Sequence, residues 1–219
     1  LSLGTVIGLY IIYNLRLWPP FLDTLILVIL SAALSIIIGI PLGIMAAKSN
    51  KFHKGIAPIL DVMQTMPSFV YLIPALLFFG IGRVPAVFST IIFAMPPAIR
   101  FTDLGIRQVP TDLVEVGEAF GSSPGQLLWK IQMPVALPTI MAGINQTVML
   151  SLSMVVISAM IGAGGLGAGV LEAISQLKIG MGFEYGIAVV IIAIILDRIS
   201  QGVGRSLGTV DKNNKEEQK

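Results

Sequence analysis

The 219-residue chain contains no cysteine, which excludes disulfides and thiolate metal sites. It holds a single histidine, His53, and no His-Glu-x-x-His or comparable set, so no metal centre is expected. Charge is scarce as well. Asp, Glu, Lys and Arg make up 12% of the residues, against about 25% in a soluble domain. Aromatic residues reach only 7%, and none cluster in the polar loops, so an aromatic cage for a quaternary ammonium ligand is not expected within this chain. No G-x-x-x-x-G-K-[ST] occurs, so the chain has no P-loop of its own, and no recognisable pair of catalytic groups suggests an enzyme. The first residue is Leu rather than Met, and Leu1–Tyr13 lacks the small-residue pattern of a cleaved signal. The natural N-terminus is therefore expected upstream.

What is abundant is hydrophobic side chain: 55% of the residues, with a mean hydropathy of +0.88. This is the composition of an all-α integral membrane protein. A spanning helix needs about 20 mostly apolar residues. The apolar runs fall at 1–15, 21–46, 56–80, 84–100, 135–161 and 183–200, that is, five core spans and a short N-terminal helix. These form one membrane domain over 1–200, interrupted by a polar stretch over 101–134. The segment 201–219 is too polar to pack a core and reads as a solvated cytoplasmic tail. A pI near 9.0 suggests nucleic acid, but the net charge is only +2 and the bases are scattered. Their placement reads instead as topology. With Lys48, Lys51 and Lys54 inside, Arg100, Arg107, Lys130, Arg198, Arg205, Lys212, Lys215 and Lys219 also fall inside, leaving Arg16, Arg83 and Lys178 outside. That asymmetry fixes the orientation and puts the 101–134 loop and the tail in the cytoplasm.

The loop carries the local signals of two short helices. Pro110 stops the preceding helix, and Thr111 reads as an N-cap with Asp112 and Glu115 in the first turn. Gly121 suits the left-handed residue beyond a helix end. Ser123, Pro124 and Gln126 make a capping-box pattern for the second helix. Leu113, Val116, Gly117 and Phe120 share one face at i, i+3, i+4, i+7. A helix lying on an anionic membrane favours Lys and Arg, yet 111–121 carries three acids and no base. Docking onto a soluble protein fits better.

On these residues the chain resembles the permease subunits of type I ATP-binding-cassette importers. Their cytoplasmic motif is E-A-A, three residues, Gly, nine residues, I-x-L-P. Glu115-Val116-Gly117, Gly121 and Ile131-Gln132-Met133-Pro134 keep that spacing, with Val, Gly and Met in place of Ala, Ala and Leu. The stretches 137–167 and 182–201 look like the glycine betaine/proline betaine branch; methionine importers look less similar there. The resemblance implies a coupling loop, with Glu115, Gly117, Glu118, Phe120, Gly121, Ile131 and Pro134 meeting an ATPase subunit. It also implies a bacterial plasma-membrane homodimer, an extracytoplasmic substrate-binding protein, and ATP and Mg held by the ATPase, with no cofactor on this chain. Choline, carnitine or methionine is the alternative solute, and a passive channel the alternative class.

Within the fifth span, Thr147, Ser151 and Ser158 form one polar stripe, and Asn145, Gln146, Met149 and Ser153 another beside it. They read either as interhelical hydrogen bonding or as a surface facing the solute; Asn145, Gln146, Met149, Ser151 and Ser153 are the candidates for a translocation path. The prolines in the spans read as kinked packing or as bends that open a pathway. "GAGGLG" (162–167) satisfies G-x-G-x-x-G, but it follows a spanning helix and not a strand. Flexible backbone, close helix approach or an outer gate is the better reading. His53 is expected to be solvated, Asp23 and Asp61 to snorkel or cap at span ends, and Glu172 and Glu184 to lie on the outer surface.

Overall fold

Proline and glycine decide where the helices begin, break and turn. The computed structural model describes residues 2–216, and the side chains of residues 4–202. Its helices are α1 (Ser2–Asn14), α2 (Trp18–Lys48), α3 (Asn50–Thr65), α4 (Ser68–Phe79), α5 (Arg83–Arg107), α6 (Thr111–Ala119), α7 (Pro124–Leu127), α8 (Met133–Ile157), α9 (Gly165–Ser175) and α10 (Ile179–Glu216). A π-helical turn, Leu128–Gln132, joins α7 to α8, and a 3-10 turn, Ser158–Ile161, ends α8. No strand occurs among the described residues. Trp18–Lys48, Arg83–Arg107, Pro124–Ile161 and Ile179–Gly202 are each long and apolar enough to cross a membrane, and α3 with α4 makes a fifth span if the bent pair is counted as one. Four of the expected core spans and the short N-terminal helix are thus present, and the fifth is present as the bent α3–α4 pair. The backbone of α10 stays helical through Glu216; the expected polar tail therefore begins inside a helix, and its last residues, 217–219, lie outside the described residues.

The run expected as one span over 56–80 is broken. α3 and α4 meet at 98°. Met66, next to Pro67, is extended (φ −70°, ψ 134°), as a residue before proline prefers. Hydropathy alone cannot register that break. The basic segment between the second and third apolar runs is also helical. Ser49 caps α3 by accepting from the Phe52 N–H at 3.3 Å, so Lys51, His53 and Lys54 lie in its first turns.

Glycines set the tightest packing. A Cβ on Gly43 would stand 2.6 Å from Thr102 Cβ and 2.7 Å from the Ile99 carbonyl; one on Gly39 would stand 2.7 Å from Ala98 Cβ. α2 and α5 therefore meet almost backbone to backbone, and Gly143 of α8 does the same against Phe101. One apolar cluster joins α1, α2, α8, α9 and α10 through Ile12, Phe21, Val28, Leu152, Leu166 and Ile192. A second, made of Ile106, Val109, Leu128, Ala136 and Ile140, sits under the loop that joins α5 to α8.

Candidate functional site

α6 starts where Pro110 ends the preceding turn. The structure corrects one detail: Pro110 flanks the helix, Thr111 is its first residue, and no side chain caps it. The other end matches the sequence. Gly121 has φ +76°; the Ser122 N–H donates to the Gly117 carbonyl at 3.0 Å, and the Gly121 N–H to the Glu118 carbonyl at 2.8 Å. This is a full Schellman closure. At Ser123 both halves of the capping box are present: the Gln126 N–H donates to Ser123 Oγ, and the Ser123 N–H to Gln126 Oε1 at 2.9 Å. The chain thus reverses over four residues in a turn fixed from both sides.

Gly117 is where the two arms touch. A Cβ there would stand 2.5 Å from Ile131 Cδ1 and 2.8 Å from Leu127 Cδ1. Gly117 is buried, unlike the other members of the stripe assigned to it. Leu113, Val116 and Phe120 face outward, Phe120 with 87% of its surface exposed, and Trp129 across the turn is also exposed. Glu115 and Glu118 are exposed, Ile131 is half-buried and Pro134 exposed at the start of α8. The elbow is anchored below by Val109, Val114, Leu128 and Met133 in the second apolar cluster. Its outer surface presents apolar and acidic groups that no described residue covers.

The five path candidates of α8 separate. Gln146 and Ser153 are exposed and Met149 half-buried; the Ser153 hydroxyl donates back to the Met149 carbonyl at 3.1 Å. With Pro138, Ala142 and Met160 they make an exposed line along the helix. Asn145 is half-buried, and its Nδ2 donates to Asp197 Oδ1 of α10 at 3.4 Å, leaving Oδ1 buried without a partner. Ser151 stands apart. It is wholly buried, and its hydroxyl donates to the Thr147 carbonyl at 2.8 Å. Ser158 donates to the Val155 carbonyl at 2.7 Å. The serine bonds are therefore intrahelical, because a serine hydroxyl in a helix reaches the carbonyl one turn back, whereas Asn145 makes the expected interhelical bond.

Three further expectations are corrected. His53 is not simply solvated: its Nδ1 lies 2.6 Å from Asp103 Oδ2. Asp23 and Asp61 do not cap; they pair with Arg83, at 2.9 Å, and with Arg100. Sequence reasoning also missed Asp103 and Asp197, because neither belongs to a motif and their partners lie far away in sequence. Glu184 is exposed as expected, and Glu172 faces Lys178 at 4.0 Å. The 162–165 glycine turn is a packed corner with no nucleotide fold around it. Gly162, Gly164 and Gly165 have positive φ, the Leu166 N–H donates to Thr24 Oγ1 at 2.8 Å, and the Gly82 N–H donates to the Ile161 carbonyl at 3.0 Å.

Residues 39–208 match the family described as binding-protein-dependent transport system inner membrane component. The chain belongs to that family. It is 56% identical over 203 residues to the glycine betaine transport system permease protein OpuAB of Bacillus subtilis, covering 93% of this chain and 72% of that one. It is 56% identical over 200 residues to the glycine betaine/carnitine transport permease protein GbuB of Listeria monocytogenes, with 91% and 71% covered. Against the glycine betaine/proline betaine permease ProW of Escherichia coli it is 53% identical, with 94% and 58% covered. In fold it is similar to a chain of the inward-facing MetNI methionine ABC transporter, with a TM-score of 0.80 at 20% identity and coverage of 87% and 95%. The protein is a multi-pass inner-membrane permease of the ABC-transporter class, with the type I importer fold.

Proposed function

We propose that this chain forms the translocation path of an ATP-driven importer for glycine betaine and proline betaine, a role in osmoprotection. The carrying observation is the 56% identity to a glycine betaine permease over 93% of the chain. The elbow of α6 and α7 docks on a separate ATPase subunit, which holds the ATP and Mg and hydrolyses the nucleotide. Its exposed face supports this: Leu113, Val116, Phe120 and Trp129 lie bare beside Glu115 and Glu118, a surface better suited to a protein groove than to anionic lipid. An extracytoplasmic binding protein delivers the solute and supplies the affinity.

Two copies of the chain build the path. The exposed line of α8, with Pro138, Ala142, Gln146 and Ser153, puts small and polar groups on a spanning helix where a lipid-facing surface would be apolar. Facing its symmetry mate, it lines a path for a zwitterion without net charge. Gln146, Met149 and Ser153 are the residues best placed for this, and Asn145 lies beside them; Ser151, inside the packing, supports the helix. Moving such a protein almost completely between two states needs about 5.5 kcal/mol of differential binding, which nucleotide binding to the ATPases supplies.

The test is uptake of labelled glycine betaine by proteoliposomes that hold this permease, its ATPase and its binding protein, with and without internal ATP. Accumulation against a gradient only with ATP is the expected result. ATP hydrolysis stimulated by another solute, such as carnitine, would keep the importer and replace the substrate. Flux indifferent to ATP would leave a passive channel.

A further inference from the structure

α5 carries a charged stripe that no part of the transport reading uses. Arg100, Asp103 and Arg107 stand at i, i+3 and i+7, on one helical face, within or at the end of a spanning helix. α3 answers with Asn50, His53 and Asp61. The pairs run antiparallel. Arg107 Nη1 donates to Asn50 Oδ1 at 2.7 Å, His53 Nδ1 bonds Asp103 Oδ2 at 2.6 Å, and Arg100 pairs with Asp61. Arg107 also donates through Nε to Asp103 Oδ1 and through Nη2 to the Ala46 carbonyl at the end of α2, both at 2.7 Å. Asp103 is only 7% exposed, so pulling α3 away would strand a buried carboxylate with half its partners, which is strongly unfavourable.

Beyond a few polar ties to α2, such as Arg83–Asp23 and Arg107–Ala46, this seam differs from the packing of α5 on α2 and α8. α2 and α8 meet α5 through glycines and apolar clusters, whereas α3 contributes no residue to those clusters. Between α3 and α5 lies a void of about 70 Å³ lined by His53, Ile56, Leu60, Ile99 and Asp103. Arg107 is three residues from Pro110, where the elbow begins. A displacement of the elbow therefore reaches Arg107 first, and the zipper hands it to α3 and, across the 98° bend, to α4.

Resting on the proposed ATP-driven mechanism, we propose that His53, Asp103 and Arg107 with Asn50, Asp61 and Arg100 are positioning residues for coupling: a polar zipper that makes the α3–α4 arm follow the elbow. The experiment uses the complete importer in proteoliposomes. His53→Leu and Asp103→Asn are each expected to lower solute moved per ATP hydrolysed roughly tenfold, a coupling loss of ordinary size, while hydrolysis itself stays within about twofold of the unmodified complex. Arg100→Asp lowers the ratio, and adding Asp61→Arg restores it. Uptake and hydrolysis falling in proportion in all variants, or a ratio unchanged in all, would overturn the zipper.

A second readout does not depend on the solute. Spin labels at Lys54→Cys on α3 and Gly125→Cys on α7 should keep their separation when a non-hydrolysable ATP analogue binds the complex. In Asp103→Asn that separation should shift or broaden with the analogue. Equal nucleotide-driven shifts with and without Asp103 would sink the zipper even if transport is normal. Labels that behave as expected in a complex that imports nothing would retain the zipper and sink the transport reading.

Discussion

The two sides of α5 are built on opposite rules. Toward α2 it presents Ala98, Ile99 and Thr102, and Gly39 and Gly43 let the backbones close to contact. Toward α3 it presents Arg100, Asp103 and Arg107, with directional bonds and a void between. A seam packed to atomic contact has no second arrangement within reach, because interiors are dense and respond to a single extra methyl. A seam of paired charges can follow a displacement while keeping its partners, held in register by directional bonds such as Arg107–Asn50 and His53–Asp103. One helix thus carries a tightly packed seam on one side and, in the proposed mechanism, a working joint on the other, with the α6–α7 elbow at its end.

The largest effect should come from spoiling the tightly packed seam. Gly43→Leu would drive a side chain into Thr102 and the Ile99 carbonyl, which cannot withdraw because it belongs to the helix backbone. Overpacking of this kind typically removes about 1–3 kcal/mol, and more when backbone must move. The expected outcome is a lower thermal midpoint of the detergent-purified protein, read by fluorescence-detected gel filtration, with uptake and hydrolysis lost together. A variant that kept its midpoint but lost only coupling would show that this seam moves during transport.

Gly121→Val comes next and strikes the elbow. No atom lies within 4 Å of a Cβ added there, so space is not the difficulty; φ +76° is. A β-branched residue in that region is strained by roughly 1–2 kcal/mol, enough to open the Schellman closure. Hydrolysis should become independent of solute while the membrane core keeps its thermal midpoint. Gly121→Asn, which tolerates left-handed backbone, should recover most of the coupling. Equal defects in the two variants would place the fault outside the turn.

How much of this was legible beforehand depends on whether a residue acts through neighbours in sequence or across space. Gly121, Ser123, Pro124 and Gln126 work within five positions of one another, so their pattern announces the elbow and the structure repeats it. The five core spans were legible for the same reason: hydropathy is a running local property. Asp103 and His53 are fifty positions apart, and nothing local marks either as a partner, so one was passed over and the other assigned to solvent. The break at Met66–Pro67 lay between the two cases. Pro67 is visible in the sequence, but a proline inside an apolar run signals a kink without its size, here 98°. Thr111 shows the limit of local rules at their own scale: Pro110 already ends the previous turn, and α6 begins without a side-chain cap.

The smallest effect sharpens the comparison most, because two exposed Arg–Asp pairs of α5 differ chiefly in place. Arg83–Asp23 joins α5 to α2 at the outer end, with 63% and 38% of the side chains exposed; Arg100–Asp61 joins α5 to α3 at the cytoplasmic end, with 38% and 67% exposed. Exposed pairs of this kind are each worth about 0–1 kcal/mol, so Arg83→Gln and Arg100→Gln should shift the thermal midpoint little and by similar amounts. Their effects on transport should part. Arg83→Gln removes a tie between two helices already fixed by Gly39 and Gly43, and uptake per ATP should stay near that of the unmodified complex. Arg100→Gln loosens the arm that must follow the elbow, and the same ratio should fall by several-fold. Similar losses in both would mean that exposed charge matters for reasons common to both ends. A loss confined to Arg83→Gln would move the working joint to the outer side of the membrane.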